Sequence, residues 1–407
     1  GPTNAAHLID SLAAFEARYG GYQSYSYMHP TIETFFEEGG TQCWIARVAG
    51  PSATTGSVTL NDGSNDTVTF TANGPGAWSS DITITTAAGS IADSRTITLL
   101  VGGVAVFVAT DTTATDQIIS KFASSAVASY YVTVTDEGGG LVDIFVSPQA
   151  LAAGDDDRSN VVSSSYVAAM TLFNDSYGSG AVACPDSEVQ AVYQGLIAHA
   201  NSHNRIALLH TAASQTSTSA RTTGIAIRVA ESNTEHAALY WPWTNTPTVL
   251  AGVNRLIPPD GYVAAVRARA HNATGSHQPA AGLVSVSRWV TSLETEADAA
   301  TGALLDGDNV NVLRLIEGGI RVYGALGAPA GARERAQGAP ERAQGAHKAC
   351  TPGLSTASPR VGMTLTVPQG GPQGPPLYAV PTRGIRVHAR GKRVHGPTRA
   401  LTHATRI

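Results

Sequence analysis

Three histidines near the middle of the chain have the residue type and spacing that could suggest a metal site. His199 and His203 are four residues apart, which places both on one face of a helix, and His210 follows soon after. Imidazole nitrogens bind zinc, but a zinc site needs further ligands that converge with them in space. The alternative is that they are ordinary surface or helix-end histidines. We favour that alternative and predict no metal site.

Two groups of acidic residues could suggest calcium, which binds carboxylate and carbonyl oxygens. They are Asp155–Asp157, and Asp306 together with Asp308. Neither group has Gly and Glu at the positions that a twelve-residue calcium loop requires. We interpret both as solvated loop acids.

Three further motifs could bind a ligand. The glycines of Gly74–Gly76 and Gly178–Gly180 lack the Lys-Ser/Thr ending of a phosphate-binding loop, so they are predicted to be turns. Trp241–Pro242–Trp243 could stack on a sugar or a base, but it follows an apolar strand. We assign it to a core or an interface, and we predict no cofactor.

Residues 156–325 alternate between strand and helix patterns. The apolar residues Val189, Val192, Tyr193, Leu196 and Ile197 lie on one helical face and predict an amphipathic helix. The other predicted elements are strands at Ala181–Cys184, Arg205–His210 and His236–Trp241, helices at Thr218–Ala230 and Pro258–Ala270, and a hairpin of Val310–Leu315 with Ile320–Tyr323. This alternation favours an α/β core, with a mostly parallel sheet flanked by helices.

Residues 1–50 and 51–155 differ in their hydrophobic period. The first segment has two helix patterns, the second with Ile32, Phe35 and Phe36, and then a strand, and we expect it to pack onto the α/β core. From Pro51 the apolar residues recur at every second position, which is the period of a β-strand. The predicted strands are Ser57–Leu60, Asp66–Ala72, Asp81–Thr86, Arg95–Val101, Val104–Ala109, Tyr130–Thr135 and Leu141–Val146, with one helix at Thr115–Ser125. We predict an inserted, all-β, sandwich-like domain at 51–155 and an α/β core domain at 156–325.

The composition changes abruptly after residue 325. Residues 1–324 carry 14 Lys and Arg against 29 Asp and Glu, a net charge of −15, whereas residues 325–407 carry 12 against 2, a net charge of +10. Gly, Pro, Ala and Arg dominate this tail, and ERAQGA occurs twice in it. Such a segment has too little apolar surface to offset the entropy of ordering, about 1–2 kcal/mol for each residue. We predict that residues 326–407 are a disordered basic tail, dispensable for folding.

The remaining bulk properties exclude several classes of protein. The three cysteines, Cys43, Cys184 and Cys350, form no CxxC pair, which indicates a reducing compartment rather than a disulfide framework. No apolar run approaches the length of a membrane span, and no leader is recognisable. The formal net charge is −5, and the basic tail lacks interleaved aromatic residues, so we predict no nucleic-acid partner and no direct membrane insertion.

Several motifs occur in the order found in one structural family. Phe35–Val48 (FFEEGGTQCWIARV) is followed much later by Leu256–Gly282 (LIPPDGYVAAVRARAHNATGSHQPAAG). Between and after them come TFTANGPGAW at Thr69–Trp78, GSGAVACP at Gly178–Pro185, LYWPW at Leu239–Trp243 and NVNVLRLIEGGIRVYGA at Asn309–Ala325. Together these segments resemble the contractile tail sheath proteins of tailed bacteriophages, whose core is subtilisin-like.

The resemblance implies a structural protein of the virion. Copies would polymerise as a helical sheath around the inner tail tube and contract to drive the tube through the host envelope during genome ejection. The implied partners are the chain itself, the inner tail tube protein, and baseplate and tail terminator proteins, with assembly in the cytoplasm of the bacterial host. The alternative within this class is the sheath of a phage-derived contractile injection system.

Two alternatives come from other classes of protein. A subtilisin-like hydrolase needs a serine at a helix start in a GTSMA-like segment and a histidine in an HGT-like segment, and neither is present. No GxSxG elbow occurs either. We therefore predict no catalytic residue and no enzyme activity. The other alternative is carbohydrate binding by residues 51–155.

The family has sequence that we do not find in this chain. It has an extended N-terminal arm, and after the segment that resembles Asn309–Ala325 it continues into a folded C-terminal domain. The abrupt change after residue 325 predicts a frameshift or a misjoined reading frame at that point. Sheath subunits exchange their arms by adding strands to a neighbour's sheet, so their loss is expected to affect assembly.

Overall fold

The computed structural model describes residues 1–231, 233–248, 253–275, 279–316 and 318–324, together with the backbone of residues 360–366. These residues form a mixed α/β fold with several sheets and helices. In the described part of the chain, no helix is both long enough and apolar enough to cross a membrane.

The strands and helices are numbered in chain order. The strands are β1 (His7–Ile9), β2 (Cys43–Val48), β3 (Ser57–Asn61), β4 (Asp66–Ala72), β5 (Ile82–Ala88), β6 (Arg95–Val101), β7 (Val104–Thr112), β8 (Val132–Asp136), β9 (Gln149–Ala150), β10 (Gly180–Ala183), β11 (Ile206–His210), β12 (Ala237–Trp241), β13 (Thr244–Pro247), β14 (Asn254–Ile257), β15 (Ser292–Leu293), β16 (Val310–Ile316), β17 (Gly319–Tyr323) and β18 (Arg360–Thr366). The helices are α1 (Leu12–Tyr19), α2 (Met28–Glu37), α3 (Thr115–Ser124), α4 (Ala128–Tyr131), α5 (Ser163–Met170), α6 (Gln190–Ser202), α7 (Ser217–Ala230), α8 (Asp260–Thr274) and α9 (Ala299–Gly307).

The largest sheet has eight strands in the order β1-β2-β18-β10-β11-β12-β16-β17. Its six inner strands are parallel to one another, and the two edge strands are antiparallel to their neighbours. The sheet is covered on both faces, so side chains along one strand alternate between two cores. In β11, Ile206 and Leu208 face the core that includes residues of α1, α2 and α8, whereas Ala207 and Leu209 face the core that includes residues of α6 and α7.

The strand–helix alternation predicted for residues 156–325 is confirmed. The amphipathic pattern forms α6, in which Val192, Tyr193, Leu196 and Ile197 are buried. The predicted hairpin forms from β16 and β17, which pair antiparallel. Three short strands, β13, β14 and β15, form an additional small sheet that the hydrophobic pattern did not predict, because each has at most four residues.

Residues 57–150 form two sheets, β3-β4-β8 and β7-β6-β5-β9, which share one apolar core. None of these strands pairs with the eight-stranded sheet in the described part of the chain. The prediction of a strand at Leu141–Val146 is wrong. There the Phe145 N–H donates to the hydroxyl of Thr86 at 2.8 Å, so a side chain takes the place of a neighbouring strand's carbonyl.

The residues that precede and follow the segment 57–150 are hydrogen-bonded to each other. Thr54 and Asp155 form an isolated antiparallel bridge, and the Gly50 N–H donates to the Asp156 carbonyl at 2.9 Å. The Ser52 N–H donates to the Asp157 side chain at 2.9 Å. The two ends of the segment are therefore held together by backbone and side-chain hydrogen bonds, and we call this region the neck, residues 50–56 and 152–157.

The structure differs from the expected disordered tail at one strand. Arg360–Thr366 form β18, which pairs in parallel with β2 on one side and with β10 on the other. β2 and β10 are joined within the sheet through this strand. The rest of the predicted tail, residues 325–359 and 367–407, lies outside the described residues.

Truncation of the chain tests whether β18 completes the sheet. A chain ending at residue 324 lacks the strand that joins β2 to β10, and each lost backbone hydrogen bond removes about 1 kcal/mol. We expect its unfolding free energy in urea to fall by about 3 kcal/mol or more. A chain ending at residue 374 keeps β18 and is expected to match the full chain. Equal stability of the two truncated chains would show that β18 does not contribute to the sheet.

Substitution of Gly261 tests the close packing of α8 on α2. A Cβ at Gly261 would lie 2.2 Å from the backbone oxygen of Thr31, so the two helices would have to separate. We expect Gly261→Ala to lower the thermal midpoint, at a cost of about 1–3 kcal/mol for overpacking. The control is Gly307→Ala in α9, where an added Cβ meets nothing within 4 Å and alanine favours the helix. A neutral Gly261→Ala would contradict this packing.

Candidate functional site

The three histidines do not converge. His199 on α6 and His203, which follows it, stack at 4.4 Å between ring centroids, but His199 Nε2 lies 2.7 Å from Arg205 Nη1. His203 Nδ1 lies 2.5 Å from Asp175 Oδ1. His210, at the end of β11, faces Asp260 instead. Within the described residues, no group of three His, Cys, Asp or Glu side chains is placed to hold a metal ion.

Arg205 is the polar partner of the buried His199. Its guanidinium donates to the carbonyls of Phe173, Asn174 and Gly178 at 2.5, 2.6 and 3.0 Å, so it fixes the turn before β10. Burial, the Arg205 charge and His203 together lower the pKa of His199 to about 4. The imidazole is therefore neutral at pH 7 and accepts a hydrogen bond from Arg205.

The acidic residues proposed as loop acids have structural partners. Asp155–Asp157 form part of the neck, where Asp156 Oδ2 lies 3.9 Å from Arg47 Nη2. Asp308 accepts a hydrogen bond from Arg221 Nε at 2.5 Å, which joins α7 to the turn after α9. These partners are not those of a calcium loop.

The tryptophans of the Trp241–Pro242–Trp243 segment are core residues. Both indoles are almost fully buried. Trp241 Nε1 donates to the Gln215 carbonyl at 2.8 Å, and Trp243 Nε1 donates to the Thr211 carbonyl at 2.5 Å. Neither ring presents a free face for a sugar or a base.

A buried polar cluster lies where the parallel strands end. His210 Nδ1 at the end of β11 is 3.1 Å from Asp260 Oδ1 on the first turn of α8, and both side chains are about 1% exposed or less. After β10, Asp186 accepts hydrogen bonds from the Ser26 hydroxyl at 2.8 Å and from the Tyr27 N–H at 2.6 Å. We call these residues, with Glu188, the strand-end cluster. Ligands of α/β folds commonly bind at this end of a sheet.

Burial and neighbouring charges change the titration of the cluster. Burial raises the pKa of Asp186 to about 6, against the hydrogen bonds from Tyr27 and Ser26. Burial lowers the pKa of His210, but the charge of Asp260 and its hydrogen bond, together with Glu188 and Asp186, outweigh that effect and raise the pKa overall. His210 is therefore a buried imidazole that holds its proton more tightly than a free histidine does, because it faces Asp260.

The cluster lacks the third member of a nucleophilic site. A buried carboxylate that orients a histidine is the supporting part of a Ser–His–Asp triad, whose nucleophile must bond to the other imidazole nitrogen. Here His210 Nε2 lies 4.0 Å from Glu188 Oε1, and no described residue forms a hydrogen bond with it. Burial also holds the pKa of the nearby Cys184 thiol well above its usual value, so the thiolate is disfavoured.

Sequence reasoning identified His210 but not its partners. α6 begins at Gln190 with Val189 as its N-cap, and Asp186 lies in the loop before this helix, where its carboxylate binds residues 26–27. Asp260 is fifty positions from His210. Its place after two prolines at a helix start was the signal that could have indicated a polar group at the sheet end.

A second buried carboxylate, Glu38, joins distant parts of the fold. Its side chain is fully buried and accepts hydrogen bonds from the backbone N–H groups of residues 288–290 at 2.8–3.2 Å and from the Ser287 hydroxyl at 2.9 Å. Arg269 Nη1 on α8 is 3.5 Å away. Because Glu38 directly follows α2, where the helix dipole disfavours negative charge, these donors are needed to hold it.

The edges of the eight-stranded sheet differ in how they are covered. On β17, the Val322 N–H donates to Ser285 Oγ at 3.0 Å, and the Ile320 carbonyl accepts from the Ser287 N–H at 2.8 Å. This edge is therefore occupied by residues 285–287 of the same chain. β1, at the opposite edge, is three residues long, and its Leu8 side chain is 44% exposed. Edge strands are places where another chain can add a strand.

Comparison with solved structures identifies the fold. A crystal structure of a sheath tail protein from Listeria innocua matches with a TM-score of 0.55 over 81% of this chain and 67% of that protein, at 14% identity. The chain has the fold of a tail sheath protein. The family resemblance drawn from the motifs is thus confirmed at the level of the fold.

Two other sheath structures match less well. A sheath tail protein from Desulfitobacterium hafniense matches with a TM-score of 0.49 at 14% identity, over 79% of this chain and 67% of that protein. The contracted helical sheath of the anti-feeding prophage matches with a TM-score of 0.31 at 19% identity, over 46% and 47%. No family model matches the sequence, and no curated protein matches it. The tail sheath fold is therefore assigned from the Listeria innocua structure.

Substitution of Glu38 tests its role in the tail sheath fold. Gln at this position has the same shape, but its amide places a donor among N–H and hydroxyl donors and removes the charge. We expect Glu38→Gln to lower the unfolding free energy by about 3–5 kcal/mol, as when one member of a buried charged network is lost. Urea unfolding measures this. The control is Glu37→Gln, since the adjacent Glu37 is exposed and should change stability by less than about 0.5 kcal/mol. Equal effects would contradict the assigned role.

Proposed function

We propose that the chain is a structural subunit of a contractile tail sheath. The observation that carries the proposal is the shared fold with the Listeria innocua sheath tail protein over 81% of the chain. The ordered motifs from Phe35–Val48 to Asn309–Ala325 support it independently of the coordinates. Fold alone does not specify function, so the two lines of support are combined.

We propose three parts for the folded subunit. Residues 1–50 and 156–325 form the α/β core, which is subtilisin-like by resemblance, and residues 51–155 form an inserted β domain. The neck supports this division, because Thr54 and Asp155 pair where the segment begins and ends. The separate pairing of the strands in residues 57–150 also supports it.

We propose that copies of this chain polymerise helically around an inner tail tube, with baseplate and tail terminator proteins at the ends of the sheath. In the virion, contraction would drive the tube through the host envelope as subunits move between two packings as rigid bodies. Such a polymer uses heterologous, non-closing contacts. The buried ionic contacts of Glu38 and Arg47 support rigid-body movement, because they join distant segments within one subunit.

We propose no catalytic role for the subunit. What supports this is the strand-end cluster, in which the His210–Asp260 pair has no hydroxyl or thiol bonded to Nε2 among the described residues. The sheath of a phage-derived contractile injection system remains the alternative within the same class, and it would use the same fold and the same assembly.

Electron microscopy of the full chain, expressed with and without its inner tail tube protein, tests the proposed function. We expect helical rings or sleeves, promoted by the tube. Failure of the full chain to self-associate or to bind the tube would contradict the sheath function.

A substitution on the edge strand β1 tests whether this edge forms the contact between subunits. Leu8→Asp places a charge on the exposed side of β1, and we expect it to reduce polymerisation without changing the thermal midpoint. The control is Val229→Asp on α7, which alters a side chain that is 82% exposed and is away from the sheet edge. Equal polymerisation of the two variants would exclude β1 from the contact.

A further inference from the structure

The contacts of His210, in the strand-end cluster, join separate parts of the chain. His210 lies at the end of β11, and Asp260 lies at the start of α8 on one face of the sheet. Tyr193, on α6 at the other face, donates its hydroxyl to the His210 carbonyl. The Trp243 ring, after β12, lies 5.8 Å from the imidazole, edge to face. His210 is therefore in contact with helices that cover both faces of the sheet.

The cluster contains more negative than positive groups. The titratable and charged groups that face His210 are Asp260 on α8, Asp186 and Glu188 after β10, and Tyr193 on α6. Cys184, which follows β10, lies near the same carboxylates. A cation near this group, Arg255, stacks on Tyr27 at 4.8 Å and acts on Asp186. Loss of the His210 proton would leave Asp260 as a fully buried carboxylate without the charge that pairs with it.

Two buried polar atoms in this pair have no hydrogen-bond partner among the described residues. They are His210 Nε2 and Asp260 Oδ2. The pair is therefore held by one hydrogen bond and by the attraction of opposite charges, rather than by a full set of hydrogen bonds as in the case of Glu38. In a buried site with few hydrogen bonds, a change of charge has a large effect on the interaction.

We propose that His210 is a proton-operated clamp that fastens the start of α8 to the ends of β10 and β11. When His210 is protonated, it pairs with Asp260 and balances Asp186 and Glu188. When it loses the proton, the carboxylates repel one another and the start of α8 loosens. This clamp acts within one subunit, and it does not depend on the proposed sheath function.

The sign of the pH effect follows from the direction of the pKa shift. Because the folded-state pKa of His210 is raised above its ordinary value, the stability that it contributes is fully present below that ordinary value and is lost as pH rises through the folded pKa. Asp186 also holds its proton more tightly when folded, and its pKa is about 6. The stability that it contributes is therefore lost as the pH rises through about 6. In this cluster, a loss of stability above about pH 7 is therefore due to deprotonation of His210.

Unfolding free energies of the full chain, measured in urea at several values between about pH 7 and pH 8.5, test the clamp. We expect the stability of the wild type relative to His210→Gln to fall across this range, because Gln cannot change its charge, whereas groups that both proteins share, such as the buried N-terminal amine, cancel in the difference. Histidine resonances followed by NMR should show His210, identified by its loss in the variant, titrating with a midpoint above about 6.5.

The control variant is His199→Gln. His199 is also buried against a charged partner, but its pKa of about 4 keeps it neutral throughout this range. We expect this variant to be less stable than the wild type by an amount that does not change between pH 7 and pH 8.5. Hydrogen exchange at residues 260–264, corrected for intrinsic rates, should show faster opening at high pH in the wild type and not in His210→Gln.

Two results would overturn the proposal. One is a His210 midpoint at or below about 6.5 in the wild type, with the resonance assigned from the wild-type spectrum itself where the variant does not fold. The other is a difference in stability between the wild type and His210→Gln that does not change with pH. If His210→Gln does not fold, Asp260→Asn is the second variant. Loss of the Asp260 charge should move the His210 midpoint downward, and an unchanged midpoint would also overturn the proposal.

Discussion

The free-energy cost of burying a charge without partners determines how distant segments of this chain are joined. Glu38 must accept several hydrogen bonds once it is buried, and the donors come from residues 287–290, some 250 positions away. Arg47 reaches the carbonyls of Gly1 and Pro75 at 2.7 Å and lies near Asp156. Burial lowers the pKa of Arg47 to about 10, so it keeps its charge at neutral pH. Each of these buried charges is stable only when the distant segments that supply its partners are in place around it.

The elements that local pattern specifies were predicted well. The spacing of the apolar residues Val192, Tyr193, Leu196 and Ile197 identifies α6, because apolar residues recur every three or four positions in a helix that buries one face. The β16–β17 hairpin was also predicted, because two apolar runs flank glycines at the turn. By contrast, Leu141–Val146 has a strand composition but forms only single hydrogen bonds to β3 and β5 and no ladder with either, since pairing depends on the tertiary neighbours and not on the segment itself.

The candidate site could not be predicted from the sequence, for a related reason. In FFEEGG, nothing local distinguishes the buried Glu38 from the exposed Glu37. His210 and Asp260 pair only because β11 ends beside the first turn of α8. β18 lies in a segment whose composition predicted disorder, and its pairing with β2 and β10 involves strands that are distant in sequence. Hydrophobic period reports local burial, whereas buried polar contacts depend on the completed topology.

The neck has a consequence for how this protein can change during evolution. Because Thr54 and Asp155 are hydrogen-bonded neighbours, a deletion or exchange of the residues between them would leave two chain ends close enough for a short turn to join. The register of the eight-stranded sheet would not shift, since none of its strands lies in that interval. Recombination at this point could therefore replace the residues between Thr54 and Asp155 while the eight-stranded sheet is inherited unchanged.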